Sequence, residues 1–115
     1  MRRGDVVWVD FEPVRGSEAN KRRPAVIVSN DGANRTAQSL GRGVITVVPV
    51  TSNTHRVYAF QVVLPAKSCG LRKASKAQAE QVRSISAQRV TGTVGHLTPE
   101  LIGQLDEALR LHLDL

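Results

Sequence analysis

The stretch from Val44 to Thr51 constrains the fold of this chain more than any other, because every residue in it except Pro49 is β-branched. β-Branched side chains favour extended backbone, so the stretch is predicted to be a strand. Pro49 has no backbone N–H, and it therefore predicts a sheet edge or a bulge near the end of this strand. An isolated strand is not stable, so the remaining sequence should supply its partners.

Further strands are predicted where short apolar stretches end at proline, glycine or polar residues. The stretch from Pro24 to Ser29 is continuously apolar, which indicates a strand buried on both faces. Residues 77–85 fit a strand or a helix, and residues 31–39 have room for one helical turn. The other predicted strands are Asp5–Phe11, Tyr58–Leu64 and Val90–Leu97, and polar loops are expected at residues 13–22, 52–56 and 67–73.

The C-terminal segment carries the signal of a helix start. Thr98 is a favourable N-cap, Pro99 suits the first turn, and an acidic residue follows directly. Several short strands closed by one helix indicate a single mainly β domain over residues 1–115, either a small β-barrel or an α+β domain. One face of the helix is predicted to consist of Leu101, Leu105, Ala108 or Leu109, and His112.

The charge of the chain is unevenly distributed. Its net charge is +6, yet residues 98–115 contain four carboxylates and only one arginine. The rest of the chain is therefore strongly basic, which suits a polyanion or an acidic protein partner, although a basic surface also simply keeps a protein soluble. Aromatic residues make up only 3% of the sequence, so an RNA site built on aromatic stacking has little material.

Several classes of protein are excluded by what the sequence lacks. Cys69 is the only cysteine, so neither an intrachain disulfide nor a cysteine-based zinc site is expected. Phosphate-loop, dinucleotide-binding, zinc-protease and serine-hydrolase motifs are missing, and the three histidines have no metal-ligand spacing, so we expect no cofactor and no metal. We also expect a cytoplasmic protein without a membrane segment, because no signal peptide or bilayer-length apolar stretch is present.

Candidate chemistry gathers at the ends of the second and third predicted strands. If these strands are antiparallel neighbours, the start of one lies beside the end of the other, so Arg23 and Thr51 can meet beneath the loop of residues 13–22. A guanidinium binds phosphate through two parallel hydrogen bonds, and a hydroxyl can orient the same phosphate oxygens. RNA carries its own nucleophile, the 2′-hydroxyl, so this pair would suit metal-free cleavage of RNA. Glu18 and His55 are the nearby candidates for proton transfer.

The sequence resembles the MazF/PemK family of toxin endoribonucleases in segments spread over almost the whole chain. Each segment alone is weak, but their order and spacing together are specific. The segments are Arg3–Phe11, Pro13, Gly16–Glu18, Arg23–Asn30, Pro49–Ser52, Tyr58–Val62 and Gln78–Ile85, the last of which resembles the family's fifth strand.

This resemblance implies an SH3-like small β-barrel with a C-terminal helix, as in MazF, PemK and CcdB, and a homodimer. It implies the toxin of a type II toxin–antitoxin system, which cleaves single-stranded RNA at specific sequences without a metal and thereby inhibits translation and growth. The products would be a 2′,3′-cyclic phosphate and a 5′-hydroxyl. The partner would be a MazE-like antitoxin with an acidic tail, in a complex as large as a heterohexamer.

The resemblance also assigns roles to individual residues. The family's catalytic positions fall on Arg23, Thr51 and, in members that use it, Glu18. An alternative is a non-catalytic, CcdB-like toxin that binds DNA gyrase and does not need the Arg23–Thr51 pair. The residues expected to contact RNA are Ser17, Asn20, Lys21, Arg22, Ser52, Asn53, His55, Gln81 and Arg83.

Overall fold

The computed structural model of the chain describes residues 1–11 and 22–115. Within them, seven strands form one sheet in the order β4-β5-β3-β2-β1-β7, and β6 pairs with β3 beside that path. All the pairings are antiparallel. The elements are β1 (Asp5–Asp10), β2 (Arg22–Ile27), α1 (Asp31–Leu40), β3 (Val44–Thr51), β4 (Gln61–Leu64), α2 (Ala66–Cys69), β5 (Ser75–Gln78), a 3₁₀ turn (Ala79–Gln81), β6 (Arg83–Ser86), a second 3₁₀ turn (Ala87–Arg89), β7 (Val90–His96) and α3 (Pro99–Leu113).

Strand β3 is central, so the prediction that Pro49 marks a sheet edge is wrong. One side of β3 pairs with β2, and its other side pairs first with β6, up to Val47, and then with β5, from Val50. The Val28 N–H donates to the Thr46 carbonyl at 2.9 Å. Because bonding alternates along an antiparallel pair, the nitrogen of Pro49 points away from β2, into the gap between β6 and β5. A proline is therefore tolerated here without loss of a ladder bond.

Alternating side chains of β1, β2 and β3 fill two separate cores. Val6, Val26 and Val48 lie in the first core, whereas Val7 and Ile27 lie in the second. This alternation confirms that the second predicted strand is buried on both faces. The first core is covered by β4, β5 and α3, and the second by Ala37 of α1 and Ile85 of β6.

The sheet curls around the first core into a small barrel that remains open between β4 and β7, the two ends of the strand order. Helix α2 follows β4 and packs against β7 at this opening. Gly70 ends α2 with a φ of +76°, and a Cβ built on it would lie 2.3 Å from the Val94 carbonyl oxygen. The close approach of these two backbones therefore requires glycine.

Charged contacts attach the N-terminus to the rest of the molecule. The Arg3 guanidinium contacts the Asp106 carboxylate of α3 at 2.6 Å and also donates to the Val28 carbonyl at 2.9 Å. The Asp5 carboxylate lies 2.6 Å from the His96 ring at the end of β7. These contacts join β1, β7 and α3 at the end of the sheet that is opposite to Asp10.

Several helical and strand boundaries differ from the prediction. Helix α1 has ten residues instead of one turn, with Asn30 as its side-chain N-cap and Gly41 as its C-cap. Residues 77–85 are not one strand, and the expectation that Gln78–Ile85 forms the fifth strand is wrong, because a 3₁₀ turn separates β5 from β6. The predicted strand at Tyr58 begins only at Gln61, since the Gln61 N–H closes a turn on the Tyr58 carbonyl at 2.9 Å.

The C-terminal helix is confirmed in its cap and in most of its buried face. The Thr98 hydroxyl accepts from the Leu101 N–H, and Pro99 occupies the first turn. Leu101, Leu105, Ala108 and Leu109 are buried, but His112 is exposed and does not belong to that face. The predicted loop of residues 67–73 includes the end of α2, and Cys69 is fully buried instead of lying in a loop. Among the described residues, no helix has the length and apolarity needed to cross a bilayer.

Replacement of Gly70 by alanine should reduce the free energy of unfolding by clearly more than the replacement of Gly41. Both glycines have positive φ, but a Cβ at Gly41 meets nothing within 4 Å. Gly41→Ala should therefore cost only the backbone strain, about 1 kcal/mol, and Gly70→Ala should add the clash with Val94. Urea denaturation of both variants measures the difference. Equal losses would show that α2 does not pack tightly on β7.

Candidate active site

Arg23 and Thr51 lie at the ends of two adjacent strands, as the sequence predicts. The β2–β3 ladder is antiparallel and ends at the pair Ala25 and Pro49. Two residues further along each strand are Arg23 and Thr51, so both side chains continue the face that carries the second core. Val9, which is directly opposite Arg23 in β1, belongs to that core. The candidate site thus lies where this core ends and the strands reach solvent.

The Arg23 guanidinium is exposed and available for a ligand. Within residues 1–11 and 22–115 it has no hydrogen-bond or ion-pair partner. A guanidinium without a carboxylate can bind phosphate through two parallel N–H donors. Backbone pairing between β1 and β2 sets the position of Arg23 within the described part of the chain.

The Thr51 hydroxyl is oriented by the turn that follows β3. Its oxygen accepts from the Asn53 N–H at 3.2 Å, and the Asn53 side-chain oxygen in turn accepts from the His55 N–H at 3.1 Å. Because the Thr51 hydroxyl acts as an acceptor in this turn, its own O–H is left to donate to a ligand. Asn53 therefore has a structural role in the turn, and the exposed His55 ring follows directly after it.

Arg83 lies on the same face as Arg23 and Thr51. It faces Val47 across the β3–β6 pair, and its guanidinium lies 5.3 Å from the centre of the Phe11 ring. Gln81 is exposed at the end of the 3₁₀ turn that precedes β6. Arg83 is therefore accessible from this side of the sheet.

Arg22 and Ser52 do not join this group, because neighbouring residues of a strand point to opposite faces. The Arg22 guanidinium lies 4.7 Å from the centre of the Trp8 ring and donates to the Thr91 hydroxyl at 3.1 Å. Ser52 lines a cavity of about 470 Å³ on that other face, together with Trp8, Pro24, Arg72 and Lys73. Contacts of Arg22 and Ser52 with RNA remain predictions.

The remaining predicted residues, namely Ser17, Glu18, Asn20 and Lys21, lie outside the described residues.

Sequence reasoning missed one residue beside the site, Lys76. It faces Thr51 across the β3–β5 pair and is only 8% exposed, and its ammonium donates to the Arg56 carbonyl at 2.5 Å. Lys76 directly precedes residues 77–85, the stretch that fits a strand or a helix by its sequence pattern. Only the register of β5 against β3 reveals that this lysine neighbours Thr51, so no sequence signal could have identified it.

Among the described residues, neither a displaced pKa nor a cluster of metal ligands lies at the candidate site. In the described part of the chain, only Asp5 has a clearly displaced pKa: burial raises it, but hydrogen bonds from the Arg2 N–H and His96 and their charges outweigh burial and lower it. Asp5 begins β1, at the far end from the strand ends that carry Arg23 and Thr51. No three histidine, cysteine or acidic side chains converge on a metal position within the described ranges.

A protein-family model matches residues 2–113 of this chain, and it describes the PemK-like, MazF-like toxin of type II toxin–antitoxin systems. The chain is 61% identical over 115 residues to endoribonuclease MazF9 of Mycobacterium tuberculosis, covering 100% of this chain and 98% of the relative.

Solved structures show the same fold. The M. tuberculosis toxin MazF-mt6 superimposes with a TM-score of 0.78 at 21% identity, covering 96% of this chain and 97% of that one. A mycobacterial endoribonuclease in complex with its cognate antitoxin gives a TM-score of 0.74 at 24% identity, covering 100% and 96%. These likenesses confirm the predicted small β-barrel with a C-terminal helix.

Proposed function

We propose that this chain, which belongs to the PemK-like, MazF-like toxins of type II toxin–antitoxin systems, is an endoribonuclease whose active site contains Arg23 and Thr51. Membership rests on the family model over residues 2–113 and on the full-length similarity to MazF9. The substrate is single-stranded RNA, cut at a specific sequence without a metal ion. Cleavage of cellular RNA inhibits translation and growth.

The observation that supports the proposal is an exposed guanidinium and an oriented hydroxyl at the neighbouring ends of β2 and β3, which pair as far as Ala25 and Pro49. Arg23 has no partner among the described residues, and the Thr51 O–H is left to donate because its oxygen accepts from Asn53. A phosphate that reaches this end of the sheet meets a fixed positive charge and a hydroxyl donor together. A binding module that only docks on a protein does not require this combination.

The reaction uses a nucleophile that the substrate supplies. The 2′-hydroxyl attacks the adjacent phosphorus, the 5′-oxygen of the next nucleotide leaves, and the products are a 2′,3′-cyclic phosphate and a 5′-hydroxyl. Arg23 neutralises the charge that grows on the non-bridging oxygens, and the Thr51 hydroxyl donates to one of them. Preorganised donors of this kind supply a large share of the barrier reduction, because they need no reorientation during the reaction.

Two proton transfers accompany this attack, and Arg23 is not suited to them because its guanidinium stays charged. Glu18 and His55 are the candidates to remove the proton from the 2′-hydroxyl or to give one to the leaving oxygen. The exposed His55 ring lies in the turn that Thr51 initiates, which supports this role.

The proposed partner is a MazE-like antitoxin with an acidic tail, and the toxin itself acts as a homodimer. The similar mycobacterial endoribonuclease forms a complex with its cognate antitoxin, which supports such a partner here. Residues 1–97 carry a net positive charge, which suits an acidic antitoxin tail that competes with RNA for the same surface. The gyrase-binding alternative is not favoured, because the family model and the 61% identical relative both belong to the MazF group.

Arg23→Ala and Thr51→Val should each reduce kcat for RNA cleavage by about 10²- to 10³-fold, as expected for the loss of one preorganised donor. Thr51→Val retains the β-branched shape and removes only the hydroxyl. The assay follows a mixed-sequence RNA in excess EDTA, where wild-type cleavage should continue. Arg42→Ala is the matched control, because this exposed arginine lies near the opposite end of β3. Wild-type rates in either active-site variant with a normal melting temperature would refute the assignment.

His55→Asn should change the pH dependence of cleavage if the imidazole transfers a proton. The wild-type profile of kcat/KM should then contain an inflection that reports protonation of the imidazole. The variant should lose that inflection and retain RNA binding. An unchanged profile in His55→Asn would remove His55 from the reaction and leave Glu18 as the candidate.

A further inference from the structure

The connection between β3 and β4, residues 52–60, is attached to the face of the sheet that carries Thr51. Lys76 faces both Thr51 in β3 and Val63 in β4, and directly opposite residues share a face. Val63 is 48% exposed, whereas its neighbour Val62 is in the first core, so this is the outer face of the sheet. The bond from Lys76 to the Arg56 carbonyl therefore holds the connection on the outer face, one lysine side chain away from Thr51.

A second buried polar residue, Gln61, holds the other end of the connection. Gln61 is 8% exposed; its side-chain oxygen accepts from the Tyr58 N–H at 3.1 Å, and its side-chain nitrogen donates to the Glu80 carboxylate at 2.7 Å. Burial of polar groups is unfavourable unless they are hydrogen-bonded. Two such groups thus serve to fix the backbone of Arg56 and Tyr58, which are themselves exposed.

The fixed backbone presents an ordered column of three side chains, those of Arg56, Tyr58 and Phe60. The Arg56 guanidinium lies 5.7 Å from the centre of the Tyr58 ring and donates to its hydroxyl at 3.1 Å. Tyr58 is stacked on Phe60 at 5.3 Å with an angle of 5° between the rings, and His112 of α3 lies behind Phe60 at 6.4 Å. The chain has few aromatic residues, yet two of them are gathered here beside an arginine.

The charge of this column distinguishes it from an ordinary apolar patch. Within the described ranges, neither Arg56 nor Lys76 forms an ion pair, so two positive charges without a carboxylate partner lie in or beside this column, and Lys76 is the residue opposite Thr51. A planar guanidinium over an aromatic ring is a surface on which an unpaired base can stack, and its charge also attracts the adjacent phosphate. A neutral protein partner would not select this combination.

We propose that Arg56, supported by Tyr58 and held in place by Lys76, forms a base-stacking subsite for single-stranded RNA next to the phosphate bound by Arg23 and Thr51. The inference rests on the proposed function, since it extends the same substrate across the outer face of β5. Arg56 contacts the RNA directly, whereas Lys76 is a positioning residue that acts through the Arg56 backbone. The subsite contributes to affinity and to base preference, not to the bond-breaking step.

The test measures binding of an RNA that carries a single 2′-deoxynucleotide at the mapped cleavage position, so that the bound state persists. Arg56→Ala should weaken binding about 5- to 20-fold, in the range known for loss of one stacked base. The slope of log K against log salt should become shallower by about 0.7, as for one lost charge on single-stranded nucleic acid. For the cleavable RNA, KM should rise by a similar factor while kcat changes less than about twofold. Arg42→Ala is again the control, with the same loss of charge far from Thr51.

Two further variants separate direct contact from positioning. Arg56→Lys should restore the salt slope but not the affinity, because an ammonium carries the charge without the stacking plane. Lys76→Met, which retains most of the aliphatic side chain, should weaken binding as much as Arg56→Ala, and the double variant should lose no more than either single one. Removal of one base at a time from the RNA should identify a single position whose loss weakens binding to the wild type but not to Arg56→Ala.

The outcomes are distinguishable. Failure of the wild type to bind or cleave RNA would overturn both the proposed function and the subsite. Normal cleavage by the wild type with Arg56→Ala equal to Arg42→Ala would overturn the subsite alone. Unchanged RNA binding in Arg56→Ala, together with a changed oligomeric state in sedimentation or weaker antitoxin binding, would assign the column to a protein interface instead.

Discussion

The structure depends on one strand, β3, and on its pairing with three others. Strand β2 lies along one side of it, and β6 and β5 share the other side. This change of partner divides the sheet into two halves, and the alternating side chains of β3 contribute to both cores. It also brings the end of β3 next to the start of β2 and to the middle of β5. Thr51 stands at that junction and therefore has Arg23 on one side and Lys76 on the other.

Positive charge on the outer face follows from this topology. Arg23, Lys76 and Arg56 come from three different parts of the chain, and within the described residues none of them is paired with a carboxylate. The Arg3–Asp106 ion pair and the hydrogen bond between Asp5 and His96 lie instead at the other end of β1. Structural charges and candidate substrate-binding charges are thus separated in space. An acidic tail or an RNA backbone that reaches the Thr51 end would find positive charges there that no carboxylate of the described residues neutralises.

Much of this arrangement follows from sequence, and the rest depends on register. The bounds of β3 and the antiparallel pairing that brings Arg23 towards Thr51 could be predicted, because β-branched runs and strand ends are local signals. Pro49 was misread because a central strand that changes partners leaves one nitrogen unpaired, which no local pattern shows. Lys76 and Arg56 could not be identified from the sequence for a related reason. The role of each depends on how β5 aligns with β3 and with the connection between β3 and β4. Glu18 lies outside the described residues, so its role stays a prediction.

In the proposed reaction the 2′-hydroxyl of the substrate is the nucleophile, and the protein contributes only electrostatic stabilisation and proton transfer. The most direct measurement is cleavage of an RNA in which a single 2′-hydroxyl, at the mapped cleavage position, is replaced by hydrogen. We predict that this RNA stays intact while the unmodified RNA is cut to a 2′,3′-cyclic phosphate and a 5′-hydroxyl. Cleavage of the substituted RNA at the same position would contradict it, because the enzyme would then have to supply its own nucleophile.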